Sequence, residues 1–167
     1  MAFELVAGEI LTAEKLNQRL PYRVDKTAPQ SVTSSTTLVN DGDLTVPVEA
    51  NAIYEVEALI LASGDTAGDI RVAWTIPSGA ATAGRVCIGP QLGMTAATNT
   101  AMVDISRNWA TQQTYGVSTS TVGILEKGTL TTSATPGNLQ MQWAQGTSSA
   151  TATNVESGSW LRIQRIG

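Results

Sequence analysis

The sequence predicts an all-β protein: an antiparallel jelly-roll sandwich of about eight to ten strands, preceded by a short N-terminal arm with one short helix. Short apolar stretches alternate with polar residues at a period of two, as expected for strands with one buried face. Turn residues recur about every ten positions. Only 14% of the 167 residues are charged. Ser, Thr, Ala and Gly are abundant instead, which favours short strands joined by tight turns.

Residues 1–28 are predicted to be a docking arm. A short helix is expected over residues 12–20, because Thr12 can cap its first turn and Pro21 ends it. A helix of this length is not stable alone, so the arm must pack on another surface. That surface is either its own domain or a larger assembly, and the sequence leaves both open. The apolar side chains expected to dock are Phe3, Leu5, Val6, Ile10, Leu11 and Leu16.

Residues 29–167 are predicted to be the jelly-roll β domain. β-Branched residues predict a strand over 31–39, and the Asn-Asp-Gly-Asp sequence at 40–43 predicts a tight turn after it. Pro47 places the next strand at a sheet edge or at the end of a strand, because proline cannot donate to the ladder. The strand predicted over 53–62 is apolar on both faces, so we expect it inside the sandwich or against a neighbouring subunit.

The middle of the chain continues the alternation of apolar and polar residues. A half-buried strand is expected over 70–76, and shorter or less regular strands over 85–89 and 121–130. Residues 90–110 are the least regular, and we expect one or two loops there with an irregular strand at 101–105.

Two strands, over 138–145 and 159–166, close the domain. In each strand apolar residues alternate with polar ones, which predicts one face in the core and one face outside it. The core residues expected from this alternation are Leu139, Met141, Trp143, Leu161 and Ile163. The polar face of the first strand carries Gln140, Gln142 and Gln145. We expect Gln140, Gln142 and Trp160 to be candidates for contact between subunits. Solvent is the alternative for the glutamines, and the second sheet or a docking surface is the alternative for Trp160.

The composition argues against several classes of function. A net charge of −4 and a pI of about 4.7 disfavour nucleic-acid binding, which needs clustered Lys and Arg. The chain has no histidine, the commonest general base and metal ligand. Its single cysteine, Cys87, excludes an internal disulfide and is expected in the core. The N-terminus has neither a basic region nor a long apolar run, so no signal peptide and no membrane span are predicted.

No cofactor and no enzymatic activity are expected. Asp41 and Asp43 could contact a Ca²⁺ ion, but the predicted turn explains both residues without a metal. A pair of carboxylates of the glycosidase type is the remaining enzymatic alternative. Against it, the aromatic content of 5% is low for an enzyme that binds carbohydrate.

The stretch from Val6 to Asn17, Val-Ala-Gly-Glu-Ile-Leu-Thr-Ala-Glu-Lys-Leu-Asn, resembles the opening of many small virion proteins of tailed phages, particularly phages that infect actinobacteria. Four stretches of the β domain resemble the same family of structural or minor tail proteins: 26–41, 52–56, 139–145 and 158–163. The last two also resemble the C1q/tumour-necrosis-factor-like jelly roll, in which a Leu-x-x-x-x-Ala-Gln strand is followed by Gly-Ser-x-Leu. That second resemblance implies a homotrimer.

Together these observations lead to the hypothesis of a non-enzymatic phage virion structural protein. It is made in the host cytoplasm and forms a trimeric knob on the virion surface, anchored by its arm to capsid proteins. Capsid decoration is the favoured placement, because a short anchor and one compact domain without a shaft suit it. The alternative is a minor tail or receptor-binding protein that presents residues 63–69 and 90–112 to a host-surface glycan. A carbohydrate-binding module that depends on Trp109 or Tyr115 is the alternative from another class.

Overall fold

A computed structural model describes residues 7–8, 10, 12–17, 20–80, 84–93 and 102–167 of the chain. In these ranges the chain forms one short helix and twelve strands. In chain order they are α1 (Ala13–Asn17), β1 (Tyr22–Asp25), β2 (Gln30–Val32), β3 (Val39–Val48), β4 (Ile53–Ser63), β5 (Ile70–Thr75), β6 (Gly84–Pro90), β7 (Met102–Asn108), β8 (Gln113–Tyr115), β9 (Val122–Thr131), β10 (Gly137–Ala144), β11 (Thr153–Val155) and β12 (Trp160–Arg165). No helix among the described residues is both long enough and apolar enough to cross a membrane.

The strands form two antiparallel sheets. The larger sheet has the order β1-β12-β4-β9-β6-β7, and the smaller has the order β3-β10-β5-β8. The strands β11 and β12 are two halves of one interrupted strand, because both pair with β4. Their neighbours β1 and β2 are likewise halves of one strand, since β1 pairs with β12 and β2 pairs with β11.

Once these halves are joined, eight strands have the connectivity of a jelly roll. Successive strands lie in different sheets, except that β5 and β8 pair within the smaller sheet. The additional hairpin of β6 and β7 is inserted between β5 and β8 and extends the larger sheet beyond β9. The predicted fold class, an antiparallel β-sandwich, is therefore confirmed. The strand count is higher than expected because two jelly-roll strands are interrupted and one hairpin is added.

The core lies between the two sheets and follows the alternation of the sequence. The five core residues expected from the closing strands are buried: Leu139, Met141, Trp143 and Leu161 are 0% exposed, and Ile163 is 4% exposed. Strand β4 also alternates, with Tyr54, Val56, Ala58 and Ile60 buried. Its other apolar face lies on the outside of the larger sheet and is half-buried in the protomer. One face of β4 therefore lies inside the sandwich, which was one of the two expected positions. Contact of its other face with a neighbouring subunit stays a prediction.

The N-terminal helix is shorter than the expected 12–20. It covers five residues, with the N–H of Leu16 donating to the carbonyl of Thr12 over 3.1 Å. The expected docking residues Phe3, Leu5, Val6 and Leu11 lie outside the described residues. Strand β1 lies within the predicted arm range and pairs with β12, so this part of the arm is joined to the larger sheet.

The expected tight turn at 40–43 is wrong, because these residues lie inside β3 and form a bulge. The pairing of β10 with β3 shifts its register here, from Gln140 opposite Thr45 to Gln142 opposite Asn40. Asp41 turns inward, and its Oδ1 accepts the N–H groups of Asp43 and Leu44, both over 3.0 Å. The same side-chain-to-backbone bonds that favour a turn thus stabilise a bulge.

The strand expected over 31–39 is also only partly correct. It ends at Val32, residues 33–38 are irregular, and β3 begins at Val39. The expectation for Pro47 is confirmed, since β3 is an edge strand of the smaller sheet. The irregular strand expected at 101–105 is the strand β7, which pairs regularly with β6 from Met102 to Asn108.

The inward carboxylate of Asp41 pairs with a buried lysine. Lys26 lies where the strand halves β1 and β2 separate, and its side chain is 2% exposed. Its Nζ is 3.0 Å from Asp41 Oδ2 and 3.6 Å from Asp43 Oδ2. The ammonium group therefore lies between the carboxylates of Asp41 and Asp43, the two groups that the sequence suggested as possible contacts of a Ca²⁺ ion.

We predict that Ca²⁺ does not stabilise the protein. A bound ion would raise Tm by mass action, but the Lys26 ammonium already lies between the two carboxylates. Thermal unfolding in about 1 mM CaCl₂, a concentration that fills even weak protein sites, is expected to match unfolding in EDTA. A calcium-dependent rise in Tm that is absent with Mg²⁺ would contradict this assignment.

Candidate functional site

The centre of the sandwich contains a charged cluster built around Glu126 of β9. Both Glu126 and Arg85 of β6 are 0% exposed, and Arg85 Nε donates to Glu126 Oε2 over 2.9 Å. Trp74 Nε1 donates to the same oxygen, and the Tyr115 hydroxyl donates to Oε1, both over 2.5 Å. Both carboxylate oxygens are therefore occupied by donors from three other strands.

The other nitrogens of Arg85 are also satisfied. Its Nη2 donates to the carbonyl of Thr111 over 2.9 Å, and its Nη1 donates to the carbonyl of Asn108. The guanidinium lies 5.4 Å from the ring centroid of Trp109, which packs edge-on against Trp74 at 5.6 Å. Each nitrogen of this guanidinium and each oxygen of the Glu126 carboxylate therefore has a hydrogen-bond partner. A buried ion pair satisfied in this way holds its strands in position.

This cluster removes the residues on which the carbohydrate-binding alternative depended. Trp109 and Tyr115 are both 0% exposed, and their polar atoms bond to Thr129 and Glu126 respectively. Neither ring is available to stack on a sugar. The sequence did not identify Arg85 and Glu126, although both occupy inward positions of their strands, where a charge signals a buried partner.

Burial in this cluster changes two acid–base equilibria. The pKa of the Cys87 thiol is raised from 9.0 to about 11, first by burial and then by the nearby Glu126 carboxylate. The pKa of the Tyr115 hydroxyl is raised well above its usual value of 10 by the same two causes. At neutral pH Cys87 is therefore a thiol, in agreement with the prediction of a buried apolar residue.

A cleft of about 280 Å³ lies at one end of the sandwich, between the arm and the domain. Asn17 and Leu20 of the arm form one wall, and residues at the ends of β3, β4 and β12 form the other. The Glu49 N–H donates to the Tyr54 hydroxyl over 2.9 Å, and the Glu49 carboxylate pairs with Arg165. The cleft thus combines an apolar interior with one ion pair.

Exposed apolar side chains concentrate around this cleft and along the arm. Five of the seven exposed large apolar side chains among the described residues lie there: Ile10 (80% exposed), Leu16 (46%), Leu20 (55%), Tyr22 (51%) and Ile166 (49%). The other two, Val86 (43%) and Leu92 (53%), lie away from the arm and the cleft. Leu20 and Tyr22 line the cleft, and Ile166 follows Arg165, which also lines it. The two described members of the expected docking set, Ile10 and Leu16, are thus exposed to solvent in the protomer.

The glutamines of β10 bond within their own chain. Gln140 Nε2 donates to the carbonyls of Asp41 and Met141 over 3.0 and 2.8 Å, and Gln142 Nε2 donates to Asn40 Oδ1 over 2.8 Å. These bonds hold the bulge of β3. Contact of Gln140 and Gln142 with another subunit therefore stays a prediction, and their amide N–H groups already have partners.

Gln145 departs from the expected polar face. It is 0% exposed, and its Oε1 accepts the N–H groups of Ser35 and Ser149 over 3.2 and 3.1 Å. Its Nε2 donates to the carbonyl of Thr151 over 2.8 Å. The strand β10 ends at Ala144, so Gln145 leaves the period-two alternation and joins two loops.

Trp160 lies on the outer face of the larger sheet, opposite in phase to the buried Leu161 and Ile163. Its side chain is half-buried, and the Arg23 guanidinium lies 4.7 Å from its ring centroid. The sequence identified Trp160 as out of phase with the core residues of its strand, but its neighbours across the sheet could not be known without the register. Contact of Trp160 with another subunit stays a prediction.

No protein-family model matches the sequence, and no curated protein matches it. Among solved structures, the chain is similar to the tripod of the baseplate of bacteriophage Tuc2009, at 12% identity and a TM-score of 0.38, over 98% of this chain and 73% of that one. It is also similar to infectious bursal disease virus, Gt strain, at 8% identity and a TM-score of 0.26 over 100% of this chain, and to the VP2 subviral particle of that virus, at 8% identity and a TM-score of 0.22 over 100% of this chain. The chain spans 42% of the length of each of these last two chains. All three are components of viruses or of particles formed from viral protein.

Replacing Glu126 by Gln is predicted to lower the free energy of unfolding by about 3–5 kcal/mol, because Arg85 keeps its buried charge without a partner. Urea denaturation measures the change. The matched control is Glu57→Gln, which removes a part-exposed ion pair with Arg162 and should cost at most about 1 kcal/mol. Equal small losses in the two variants would show that the buried pair does not contribute as described.

Stability is predicted to fall as the pH rises from about 9 to about 11. The unfolded chain loses the Cys87 proton near pH 9, whereas the folded chain keeps it to about pH 11, so the folded state binds more protons in this window. The slope for this group is at most about 1.4 kcal/mol per pH unit. The free energy of unfolding, measured by denaturation at each pH across the window, should fall less steeply with pH for Cys87→Ala. An unchanged slope in that variant would contradict the assignment.

Proposed function

We propose that this chain is a non-enzymatic phage virion structural protein: a homotrimeric knob on the virion surface, anchored by its N-terminal arm. The observation that carries this proposal is the set of exposed apolar side chains on the arm and around the adjoining cleft. It is supported by the resemblance of residues 6–17 to the opening of tailed-phage virion proteins.

Binding of the arm to another protein would bury its exposed apolar side chains, which is favourable. Ile10, Leu16 and Leu20 are each about half exposed or more in the protomer. Complete burial of one such side chain contributes about 1.5–3 kcal/mol. Because each side chain is only partly exposed and ordering the arm costs entropy, one arm binds weakly.

Trimerisation converts weak anchors into a stable attachment. Three arms tied to one knob bind as linked sites, so that the overall affinity exceeds that of one arm by orders of magnitude. We propose capsid decoration as the placement, because linked contacts on several capsid subunits oppose the internal pressure of a packed head. A minor tail or receptor-binding position is the alternative outcome of the labelling experiment below.

Leu16→Asp and Ile10→Asp are predicted to weaken binding to particles that lack this protein by at least about tenfold each, because each removes apolar burial and introduces an unpaired carboxylate. Co-sedimentation with such particles measures binding. Both variants should keep the Tm of the wild type, since neither side chain is buried in the protomer.

The control for these variants is Thr147→Asp, an exposed residue in the loop at the opposite end of β10 from the cleft. It adds the same charge and should leave binding unchanged. Binding that survives deletion of residues 1–20 would overturn the anchor. Gold label over the head supports decoration, whereas label at the tail tip supports the tail alternative.

A further inference from the structure

A buried lysine and a buried aspartate lie in contact where an edge of the larger sheet meets an edge of the smaller sheet. Lys26 follows β1 and Asp41 lies in the bulge of β3, and their side chains are 2% and 0% exposed. Lys26 Nζ lies 3.1 Å from Asp41 Oδ1 and 3.0 Å from Oδ2. With both oxygens this close, a planar carboxylate places its carbon within about 3.4 Å of Nζ, which is in the range of reacting atoms.

The two carboxylate oxygens of Asp41 differ in their partners. Oδ1 accepts the backbone N–H groups of Asp43 and Leu44, both over 3.0 Å, as well as the bond from Lys26. Oδ2 is buried and accepts no hydrogen bond from the described residues, although the lysine charge is near it. Two backbone N–H groups aimed at Oδ1 can stabilise a negative charge that develops there. The other oxygen is free to take a proton and to leave as water.

The backbone on both sides holds this arrangement in place. The Lys26 N–H donates to the Ser159 carbonyl over 2.8 Å, and the Lys26 carbonyl accepts the Gly158 N–H over 2.9 Å. In the bulge, Gln30 Oε1 accepts the Gly42 N–H over 3.0 Å. The two side chains therefore meet without a search, which is the main requirement for a reaction between them.

A second carboxylate lies beside the pair. Asp43 Oδ2 is 3.6 Å from Lys26 Nζ, and the Asp43 side chain is 37% exposed. A small movement brings it within hydrogen-bond distance of the nitrogen, so that it can receive a proton and pass it on.

We propose that Lys26 and Asp41 condense to an intramolecular amide and release one water. One proton first passes from the ammonium to Asp41 Oδ2, a transfer that costs less away from water because ions there lose their hydration. The amine nitrogen then bonds to the carboxyl carbon, and the negative charge develops on Oδ1, beside the two backbone N–H groups. Asp43 accepts one of the two remaining protons of the nitrogen and passes it to the hydroxyl group. The bond from carbon to Oδ2 breaks, water leaves, and no oxidant or other reactant is consumed.

Another lysine–carboxylate pair of the described residues lacks this setting. Lys127 Nζ lies 3.0 Å from Glu55 Oε1, but their side chains are 49% and 41% exposed. In water such groups stay ionised at neutral pH, and an ammonium group has no lone pair with which to attack. This pair is therefore a matched control within the same molecule.

The amide closes a loop from Lys26 to Asp41 and joins the two sheets covalently. A force on the arm passes through β1 to Lys26 and then across the amide to β3, so that residues 27–40 bear none of it. The bond thus strengthens a domain that is held by its arm, an advantage that rests on the proposed anchoring. The amide also consumes the ammonium and one carboxylate, so the expectation for Ca²⁺ is unchanged.

Tryptic digestion of the denatured full-length protein, followed by mass spectrometry, tests for the amide. Trypsin cleaves an unmodified chain after Lys26 and separates residues 24–26 from residues 27–71. An amide at Lys26 blocks this cleavage. We therefore expect residues 24–71 as one peptide that lacks one water, with fragmentation that places the bond between Lys26 and Asp41.

Two variants and the exposed pair are the controls. Lys26→Arg keeps the charge but cannot form the amide, so it is expected to release residues 27–71 at full mass. Asp43→Asn keeps both reacting groups and is expected to slow formation of the amide at least about tenfold. The cross-linked fraction at matched times after synthesis measures that rate, and far-UV circular dichroism checks that the variant is folded. Lys127 and Glu55 are expected to stay unlinked, and an amide between them would contradict the role given to burial.

Two results overturn the inference. One is a wild type that yields residues 27–71 only as a separate peptide. The other is a loss of water that persists in Lys26→Arg, because Asp41 followed by Gly42 can also lose water by closing a succinimide with its own backbone. An Asp43→Asn variant that cross-links at the wild-type rate overturns the role of Asp43. All of these leave the proposed anchoring intact, since particle binding by the arm is measured separately with Leu16→Asp.

Discussion

The buried carboxylate of Glu126 imposes a constraint that the rest of the sandwich must satisfy. An ionised group in the core is tolerated only when its partners are all in place. Here the partners come from both layers: Arg85 lies on β6 of the larger sheet, and Trp74 and Tyr115 lie on β5 and β8 of the smaller sheet. Because Arg85 and Glu126 lie in the same sheet, a shift of one sheet on the other would keep the ion pair but break the hydrogen bonds that Trp74 and Tyr115 donate to the carboxylate, so these two bonds fix how the sheets are stacked.

The same interaction explains the inserted hairpin. Arg85 reaches Glu126 because β6 pairs with β9. Its guanidinium also donates to the carbonyl of Asn108, the last residue of β7, and to the carbonyl of Thr111 in the segment that follows. Gly128 lies directly opposite Arg85, where a Cβ would approach the Gly84 carbonyl to 2.6 Å. The hairpin is therefore held against the jelly roll by an ion pair and by a close backbone approach. The rigid sandwich that results presents the arm at one end and the outer sheet face at its side.

The sequence was informative where burial follows a simple period. The core residues of β10 and β12 were predicted because Leu, Met, Trp and Ile occupy every second position. The turn expected at 40–43 failed because the same Asp-Gly chemistry is compatible with a bulge, and the choice depends on Lys26, 15 residues earlier in the chain. Gln145 was misplaced because its strand ends one residue before it.

Of the candidate surfaces, the sequence identified single residues but not their groupings. Arg85 and Glu126 are 41 residues apart, and no local pattern joins them. Trp160 was recognised as out of phase with its apolar neighbours, yet Leu59, Leu125 and Ile88 join it only through strand pairing between distant segments. Periodicity gives the face on which a residue lies, whereas register decides which residues share a surface.

Amine-specific cross-linking of intact virions, followed by mass spectrometry, tests the account most directly. The chain has three lysines: Lys26 is buried, Lys15 lies in the arm, and Lys127 lies on the outer face of the larger sheet. We predict links from Lys15 to another virion protein, because the proposed anchor places the arm against it. Lys15 linked solely to its own chain would contradict the proposed anchor.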